Sequence, residues 1–474
     1  MRKDARLTYR YPRGESVADL IMRLENVINA MEQSKKPIIV IAHHAVLNVI
    51  YAYWKGIHRE QVPSIRCTPH RITKLTVNHY DTTENIYSFM TTELPKQIGS
   101  SGRPSRASIG HTRHSQEVDF HAEQEEPEMC LDDGSMCVFK TPEKIWETTK
   151  NNPTPQHPPG TNPGDVDNPV SLHMAKKSSL HGTSRSSIVI VLVGCSQKGR
   201  AHLGARVQRY LHFFHAVETK MFVIPDEPAD PSHCSKALAE HRTTQYEARL
   251  AELKNFLRVN GKETPVCGIL DGRCVARNRR KWIREYLSEV KTARVLFVEC
   301  DLMHEEPTTL SLANDMKIYE TLTAEHEDCT WIRLQDGYRV TVNKPVHDVT
   351  MQIILFLMNV HNKSHVFYIS RHGQSQYNLE GKIGGDSDLT ENGEMYAKKL
   401  AIYAEKIVSK DDEGNYTPVR LWTSTLKRTN MTVKYIKESE ISINDPTGRC
   451  MNWINFAHKQ YRNLDEIYAG DCDG

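Results

Sequence analysis

Val366-Phe367-Tyr368-Ile369-Ser370 runs without a break into Arg371-His372-Gly373. Four of the first five residues are β-branched or aromatic, which suits a strand. Their apolar character is continuous rather than alternating, as in a parallel strand covered on both faces. The next three residues change in kind. In an open parallel α/β sheet, ligands bind at the carboxyl ends of the strands, so this triplet faces a ligand. A neutral histidine there can attack phosphorus and become a phosphohistidine. The adjacent arginine supplies a planar, permanent charge for phosphoryl oxygens.

Outward from this point the pattern recurs. A helix is expected over 391–408 and a strand over 419–424. Ser424-Thr425-Leu426-Lys427-Arg428-Thr429 then places Arg428 at a helix start, where phosphate is welcome. At the other end of the chain, Ser16-Val17-Ala18-Asp19 is an N-cap signal for a helix with Leu20, Leu24, Val27 and Met31 on one face. Ile38-Ile39-Val40-Ile41-Ala42 is another continuous apolar strand, ending at His43-His44, with a helix expected over 45–54. Leu464-Asp465-Glu466-Ile467 offers a carboxylic acid.

The middle opens with Ile188-Val189-Ile190-Val191-Leu192-Val193. Strands are expected at 219–224, 266–270 and 294–299, with helices over 245–259 and 279–290. That alternation means βαβ units and a parallel sheet. Gly194-Cys195-Ser196-Gln197-Lys198-Gly199-Arg200-Ala201 follows the first strand. The phosphate-cradling template is GxxxxGK[ST], in which lysine meets the outer phosphates and a hydroxyl binds Mg²⁺. Gly194 and Gly199 fit it. Arg200 replaces the lysine and is no equivalent point charge. Ala201 has no oxygen for a metal.

The chain has 474 residues, enough for about three units of ~150 residues. Sixty-one Lys and Arg face 59 Asp and Glu, a net charge of +2 that counts against a nucleic-acid binder working by bulk charge. No apolar run approaches the ~18 residues of a membrane span, and Met1-Arg2-Lys3-Asp4-Ala5-Arg6 has no apolar region behind it. The 11 cysteines lack CxxC spacing, so reduced thiols, a cytoplasmic location and no metal site are expected. About ten of the 22 prolines fall within 95–187, read as a disordered low-complexity linker. It accounts for much of the low mean hydropathy of −0.55.

Arg371-His372-Gly373 with Arg428, His43 and Glu466 resembles the histidine phosphatase (phosphoglycerate mutase-like) superfamily. The longer stretch Arg371-His372-Gly373-Gln374-Ser375-Gln376-Tyr377-Asn378 through Gly384-Gly385-Asp386-Ser387 is similar to the bisphosphatase domain of 6-phosphofructo-2-kinase/fructose-2,6-bisphosphatase. So are Trp422-Thr423-Ser424, Asp465-Glu466-Ile467-Tyr468-Ala469-Gly470 and Tyr9-Arg10-Tyr11-Pro12-Arg13-Gly14-Glu15-Ser16. Leu270-Asp271-Gly272, Arg277-Asn278-Arg279-Arg280 and Glu306-Pro307-Thr308 extend the resemblance into the kinase-like middle. The implied fold is α/β: a P-loop kinase-like three-layer parallel-sheet domain and a histidine phosphatase domain split between the chain ends. The implied segments are 1–94 and 364–474 for the two phosphatase halves, 95–187 for the linker and 188–363 for the kinase-like domain.

The resemblance implies that His372 takes the 2-phosphate of fructose 2,6-bisphosphate, in the control of fructose metabolism and glycolysis. It gives Arg371, Arg428, Asn378, Gly384 and His43 to the phosphoryl group, Glu466 to the leaving oxygen, and Arg2, Arg6 and Arg10 to the sugar-phosphate pocket. Fructose 6-phosphate is the implied product, and ATP with Mg²⁺ the implied kinase ligands. There are departures. His44 stands where the family has Gln, and Asn48 where it has an Arg for the sugar phosphate. Ile224-Pro225-Asp226-Glu227 replaces a Gly-Arg-rich sugar-phosphate segment. With Arg200 and Ala201, this predicts a degenerate kinase. The competing expectations are a pseudoenzyme that binds sugar phosphates or an active paralogue, and a residual 2-kinase.

The segment order is inverted relative to the family, and a short loop and helix of roughly 15 residues is expected to be missing between the two halves. The chain reads as a circular permutant or as a fragment of a tandem array. Two chains exchanging halves as a homodimer is a third arrangement.

Overall fold

The computed structural model describes residues 7–78, 82–89, 117–119, 186–194, 197–225, 235–262, 264–301, 317–327, 329–335, 339–344, 349–360, 364–411, 414–444 and 450–472. The first stretch gives α1 (Val17–Gln33), β1 (Ile38–Ala42), α2 (His44–Lys55), β2 (Arg71–Val77) and β3 (Thr82–Ser88). Ser16 closes a capping box with Asp19, as its spacing predicts. The α2 helix ends at Gly56 in the left-handed region, the usual glycine stop. A short strand β4 (Glu117–Asp119) adds to the edge of β3, inside the stretch expected as linker. Its last expected residue, Ser187, is instead the buried first residue of the strand that opens the middle sheet, and apart from Ser186 the rest of that stretch lies outside the described residues.

The middle follows with β5 (Ser187–Val193), α3 (Gln197–His215), β6 (Glu218–Val223), α4 (Ser235–Asn260), β7 (Val266–Asp271), α5 (Arg277–Leu287), β8 (Ala293–Asp301), β9 (Thr330–Gln335), β10 (Arg339–Asn343) and α6 (Val349–Leu357). The last stretch contains β11 (His365–Arg371), α7 (Gln376–Glu380), α8 (Glu391–Tyr403), β12 (Arg420–Thr423), α9 (Lys427–Val433), β13 (Ser439–Asn444), β14 (Cys450–Asn455) and β15 (His458–Gln460). The expected helix over 391–408 is α-helical to Tyr403 and then widens into a π turn, Ala404–Val408.

The six-stranded middle sheet runs β10-β9-β8-β5-β7-β6 and is parallel but for the edge strand β10. The seven-stranded sheet runs β15-β12-β1-β11-β2-β3-β4. Its centre is therefore made by strands from opposite ends of the chain. β1 pairs in parallel with β11 on one side and β12 on the other. All five β1 residues are buried, which is why they read as a continuous apolar run. The sheet is mixed rather than wholly parallel, because β2 and β3 add an antiparallel hairpin beside β11 that no apolar run announced.

The halves are also stitched at their outer loops. Glu15 N donates to Tyr468 O at 2.8 Å, and Asp471 N donates to Pro12 O at 3.0 Å. Gly470 sits at φ +60 with its Cα against this seam, where a Cβ would come within 1.9 Å of Pro12 O. Arg23 on α1 donates to the carbonyls of Asn463, Asp465 and Glu466 at 3.0–3.2 Å. These contacts bring residues 10–23 against residues 462–471.

The two sheets share one apolar core through α1, α2, α3 and α6. Tyr53 packs edge-on against Phe213, and Tyr210 stacks on Phe356 at 4.2 Å between ring centroids. At the centre of this contact the carboxylate of Glu32 is fully buried. It accepts from Tyr53 Oη at 2.8 Å and is paired with Arg206 of α3. Among the described residues no helix is long and apolar enough to cross a membrane.

Candidate active site

Register builds the site. Ala42 pairs with Arg371 and Ile41 with both Ser370 and Thr423, so three parallel strands end at one level. The next residues are His43, His372 and Ser424, side by side at the carboxyl edge. His372 N donates to Ala42 O at 3.1 Å, continuing the ladder into the Arg371-His372-Gly373 triplet. The rings of His43 and His372 are 5.1 Å apart.

His372 is 1% exposed. Its Nδ1 lies 2.8 Å from Gly373 O, a carbonyl that can only accept. The proton therefore sits on Nδ1, and Nε2 keeps a lone pair. Arg428 Nε donates to that Nε2 at 3.3 Å. Burial, then the charges of Arg371 and Arg428, push the His372 pKa down to about 3. The ring is thus a neutral base across the ordinary pH range, as a phosphorus nucleophile must be.

Gly373 has no alternative at its position. A Cβ would lie 2.6 Å from Gly393 O, so the turn after His372 closes only on glycine. Thr432 Oγ1 accepts from Gly373 N at 2.9 Å and donates to Arg428 O at 2.7 Å, locking the His372 loop to the Arg428 helix.

Arg428 is buried at the first turn of α9. Its Nη1 donates to Gly385 O at 2.6 Å, and its Nη2 is 3.8 Å from Glu466 Oε2. Burial lowers the pKa of Arg371, and the charge of Glu466 pulls it back up. His43 Nε2 is 2.8 Å from Ser424 Oγ, which in turn meets Thr429 Oγ1 at 2.8 Å. Burial, then the neighbouring His372 and Arg428, hold His43 well below its usual pKa, so it too is neutral. Its Nδ1 lies 3.5 Å from Glu466 Oε2. Burial raises the Glu466 carboxyl above its ordinary pKa, against the pull of Arg428 and Arg371. The Glu466 side chain keeps 22% of its surface exposed, so water can reach it.

His372, Arg371, Arg428, His43 and Glu466 are thus brought together from four separate stretches. Other expected residues stand differently. The Asn378 side chain caps its own helix, accepting from Ser375 N at 3.1 Å, so a structural role is already assigned to its oxygen. Gly384, expected at the phosphate, lies at φ +75 in a left-handed turn, and the neighbouring Gly385 carbonyl accepts from Arg428. Arg10 is half exposed and paired with Asp19 at 2.6 Å, on the loop before α1. Arg2 and Arg6 lie outside the described residues. Arg23, Ser424, Thr429 and Thr432 were not singled out from sequence. Each acts by holding another side chain or a carbonyl, and no local spacing encodes that.

In the middle sheet, residues 195 and 196 of the Gly194–Gly199 stretch lie outside the described residues. Gly194 lies at φ +142, where a Cβ would come within 2.7 Å of Cys300 O, and Gly199 opens the first turns of α3. Arg200 does not reach outward. It is 1% exposed, donates from Nε to Asp271 Oδ1 at 2.7 Å and from Nη1 to Gly194 O at 2.6 Å. Asp271, the acid a metal would need, is held by an internal ion pair. Ala201 adds no ligand. These residues do not fit ATP with Mg²⁺ as the P-loop template requires.

Comparison with known proteins agrees with this geometry. Residues 1–87 and 367–472 match the family model of the histidine phosphatase superfamily, branch 1. Residues 175–307 match the 6-phosphofructo-2-kinase model. The chain carries a histidine phosphatase domain split across its two ends and a 6-phosphofructo-2-kinase domain between them. Among its relatives is a fructose-2,6-bisphosphatase of Saccharomyces cerevisiae, 27% identical over 333 residues, covering 63% of this chain and 68% of that protein. A 6-phosphofructo-2-kinase/fructose-2,6-bisphosphatase of Arabidopsis thaliana is 35% identical over 168 residues, covering 34% of this chain and 19% of that protein. The human 6-phosphofructo-2-kinase/fructose-2,6-bisphosphatase 3 is 25% identical over 332 residues, covering 61% of this chain. The chain spans 58% of that human protein's length.

Proposed function

We propose that the chain hydrolyses the 2-phosphate of fructose 2,6-bisphosphate through a phosphohistidine at His372. The observation that carries the proposal is the neutral, Nδ1-protonated His372, with its Nε2 lone pair facing Arg428 beside Glu466. Nε2 attacks phosphorus while the bond from phosphorus to the sugar oxygen breaks. Glu466, kept protonated by burial, gives its proton to that oxygen. Arg371 and Arg428 balance the charge that spreads over the phosphoryl oxygens, and neutral His43 adds a hydrogen-bonding edge. Glu466, now a carboxylate, then takes a proton from water as the water attacks phosphorus. The bond from phosphorus to nitrogen breaks and inorganic phosphate leaves. No metal enters this sequence.

The sugar bisphosphate is proposed from the names of the relatives, and phosphoryl transfer to histidine from the arrangement of His372, Arg371, Arg428 and Glu466. The test is release of phosphate from fructose 2,6-bisphosphate by the full chain, compared with His372→Ala. Release by the wild type alone supports the proposal. No release by the wild type overturns it.

For the middle domain the Arg200–Asp271 pair favours a structural role over phosphoryl transfer from ATP. Incubation with ATP, Mg²⁺ and fructose 6-phosphate is expected to yield no fructose 2,6-bisphosphate. Its ATP-dependent formation would contradict that role.

A further inference from the structure

Arg371, the residue before His372, also lines a cavity of about 260 Å³. Arg66, Arg71 and Arg371 line it, together with the hydroxyl-bearing Thr68, Thr73 and Ser370. Glu84 is the one carboxylate in the lining. It accepts from Tyr51 Oη at 2.9 Å and lies 3.5 Å from Lys55 Nζ, so its charge is countered. Cys67 also lines the cavity, and burial pushes its thiol pKa up to about 12, so it adds no negative charge. Three guanidinium groups therefore surround one small space with a single, already paired acid.

The elements explain this placement. Arg71 opens β2, which runs antiparallel to β11 with Ile72 opposite Ser370. Arg66 precedes it on the connecting loop, and its charge is felt at His44, one residue past His43. Arg371 is felt both by Glu466 in the centre and by Cys67 in the cavity. Arg371 Nε is buried with no hydrogen-bond partner among the described residues. Meanwhile Arg10 is engaged with Asp19, and Asn48 donates its side-chain amide to Ile65 O at 2.8 Å.

We propose that this cavity binds the second phosphoryl group of a bisphosphorylated substrate, gripped by Arg66 and Arg71, while Arg371 lies between the two ends of the molecule. The proposal rests on the phosphatase reading for the identity of the substrate. It differs from the sequence-based assignment, which gave this task to Arg2, Arg6 and Arg10. Guanidinium pairs on phosphate are strong and geometrically selective, so their loss shows mainly in substrate affinity.

The test compares the full chain with the double variant Arg66→Ala/Arg71→Ala and with the charge-keeping Arg66→Lys/Arg71→Lys. With fructose 2,6-bisphosphate the alanine variant is expected to raise KM by about 10- to 100-fold with kcat nearly unchanged. With p-nitrophenyl phosphate, which has no second phosphate, both constants should hold, which also shows that the variant is folded. The lysine variant should recover part of the KM. An unchanged KM for the bisphosphate, or an equal loss with both substrates, overturns the proposal. Fructose 6-phosphate binding by calorimetry separates this proposal from the phosphatase reading. If the wild type binds it, the alanine variant does not, and neither turns over the bisphosphate, the cavity assignment stands and the phosphatase reading fails.

Discussion

Two buried arginines follow strand ends in this molecule, and they have opposite fates. Arg428 lies 3.3 Å from His372 Nε2, with Glu466 3.8 Å from its outer nitrogen. Arg200 lies in a phosphate cradle but is folded onto Asp271 and the Gly194 carbonyl. The surroundings make the difference. Around His372, the cations Arg371 and Arg428 and the neutral His43 face Glu466, whose carboxyl pKa burial raises, with Asp386 4.0 Å from Arg428. In the cradle, one cation and one anion are buried in contact and satisfy each other. The Arg200 pair closes on itself, whereas Arg428 also reaches His372 and Glu466.

Replacing the nucleophile should break the first site most completely. His372→Ala is expected to lower kcat for the bisphosphate by at least about 10⁴-fold, measured by phosphate release. Next comes the acid. Glu466→Gln should lower kcat by about 10²- to 10³-fold. The sign of its pH effect follows from burial: a raised pKa keeps Glu466 protonated above the usual carboxylate range, so wild-type activity falls as pH rises through that value. The glutamine variant should lose this alkaline limb.

His372 also leaves a signature on stability. Its folded pKa of about 3 lies below its ordinary value of 6.5. Between those two values the unfolded chain binds the proton that the folded chain refuses, so stability falls as pH drops from about 6.5 toward 3. Denaturant unfolding of His372→Ala across that window should show a shallower slope than the wild type.

The join between the two sheets sharpens the contrast from another side. Arg206→Ala leaves the fully buried Glu32 without its cation and should destabilise the chain by about 3–5 kcal/mol in denaturant unfolding. Adding Glu32→Gln should recover part of that loss, because the uncompensated charge is gone. The smallest effect on activity is expected in the cradle. Arg200→Lys with Ala201→Ser, far from His372 in the chain and on the α3 helix of the middle domain, should leave phosphatase kcat within about 2-fold. A large loss would show that the cradle's ion pair supports the phosphatase after all.

The sequence carried the strand ends well, because β1, β5 and β11 are continuous apolar runs that stop abruptly at chemistry. His43, His372 and Arg428 were legible for that reason. Arg200 and Ala201 were legible as departures from a fixed spacing. The β2–β3 hairpin was not, because its exposed face carries Thr, Lys and Glu and breaks the apolar run. Arg23 reaches carbonyls some 440 positions away in sequence, and Arg206 reaches Glu32 across 174. Periodicity within one helix cannot report such contacts. Asn378 was assigned to phosphate by resemblance, yet its side chain completes a Ser375 capping box, which its own spacing allowed. The cavity at Arg66 and Arg71 exists only once β2 is laid beside β11.

The central claim is that phosphate passes through His372. The direct measurement is a rapid alkaline quench of the full chain mixed with fructose 2,6-bisphosphate labelled in its 2-phosphate, followed by peptide mapping. The account predicts alkali-stable, acid-labile label approaching one phosphate per chain, confined to the peptide containing His372 and absent from His372→Ala. Phosphate release without label on that peptide, or label that survives His372→Ala, would contradict it.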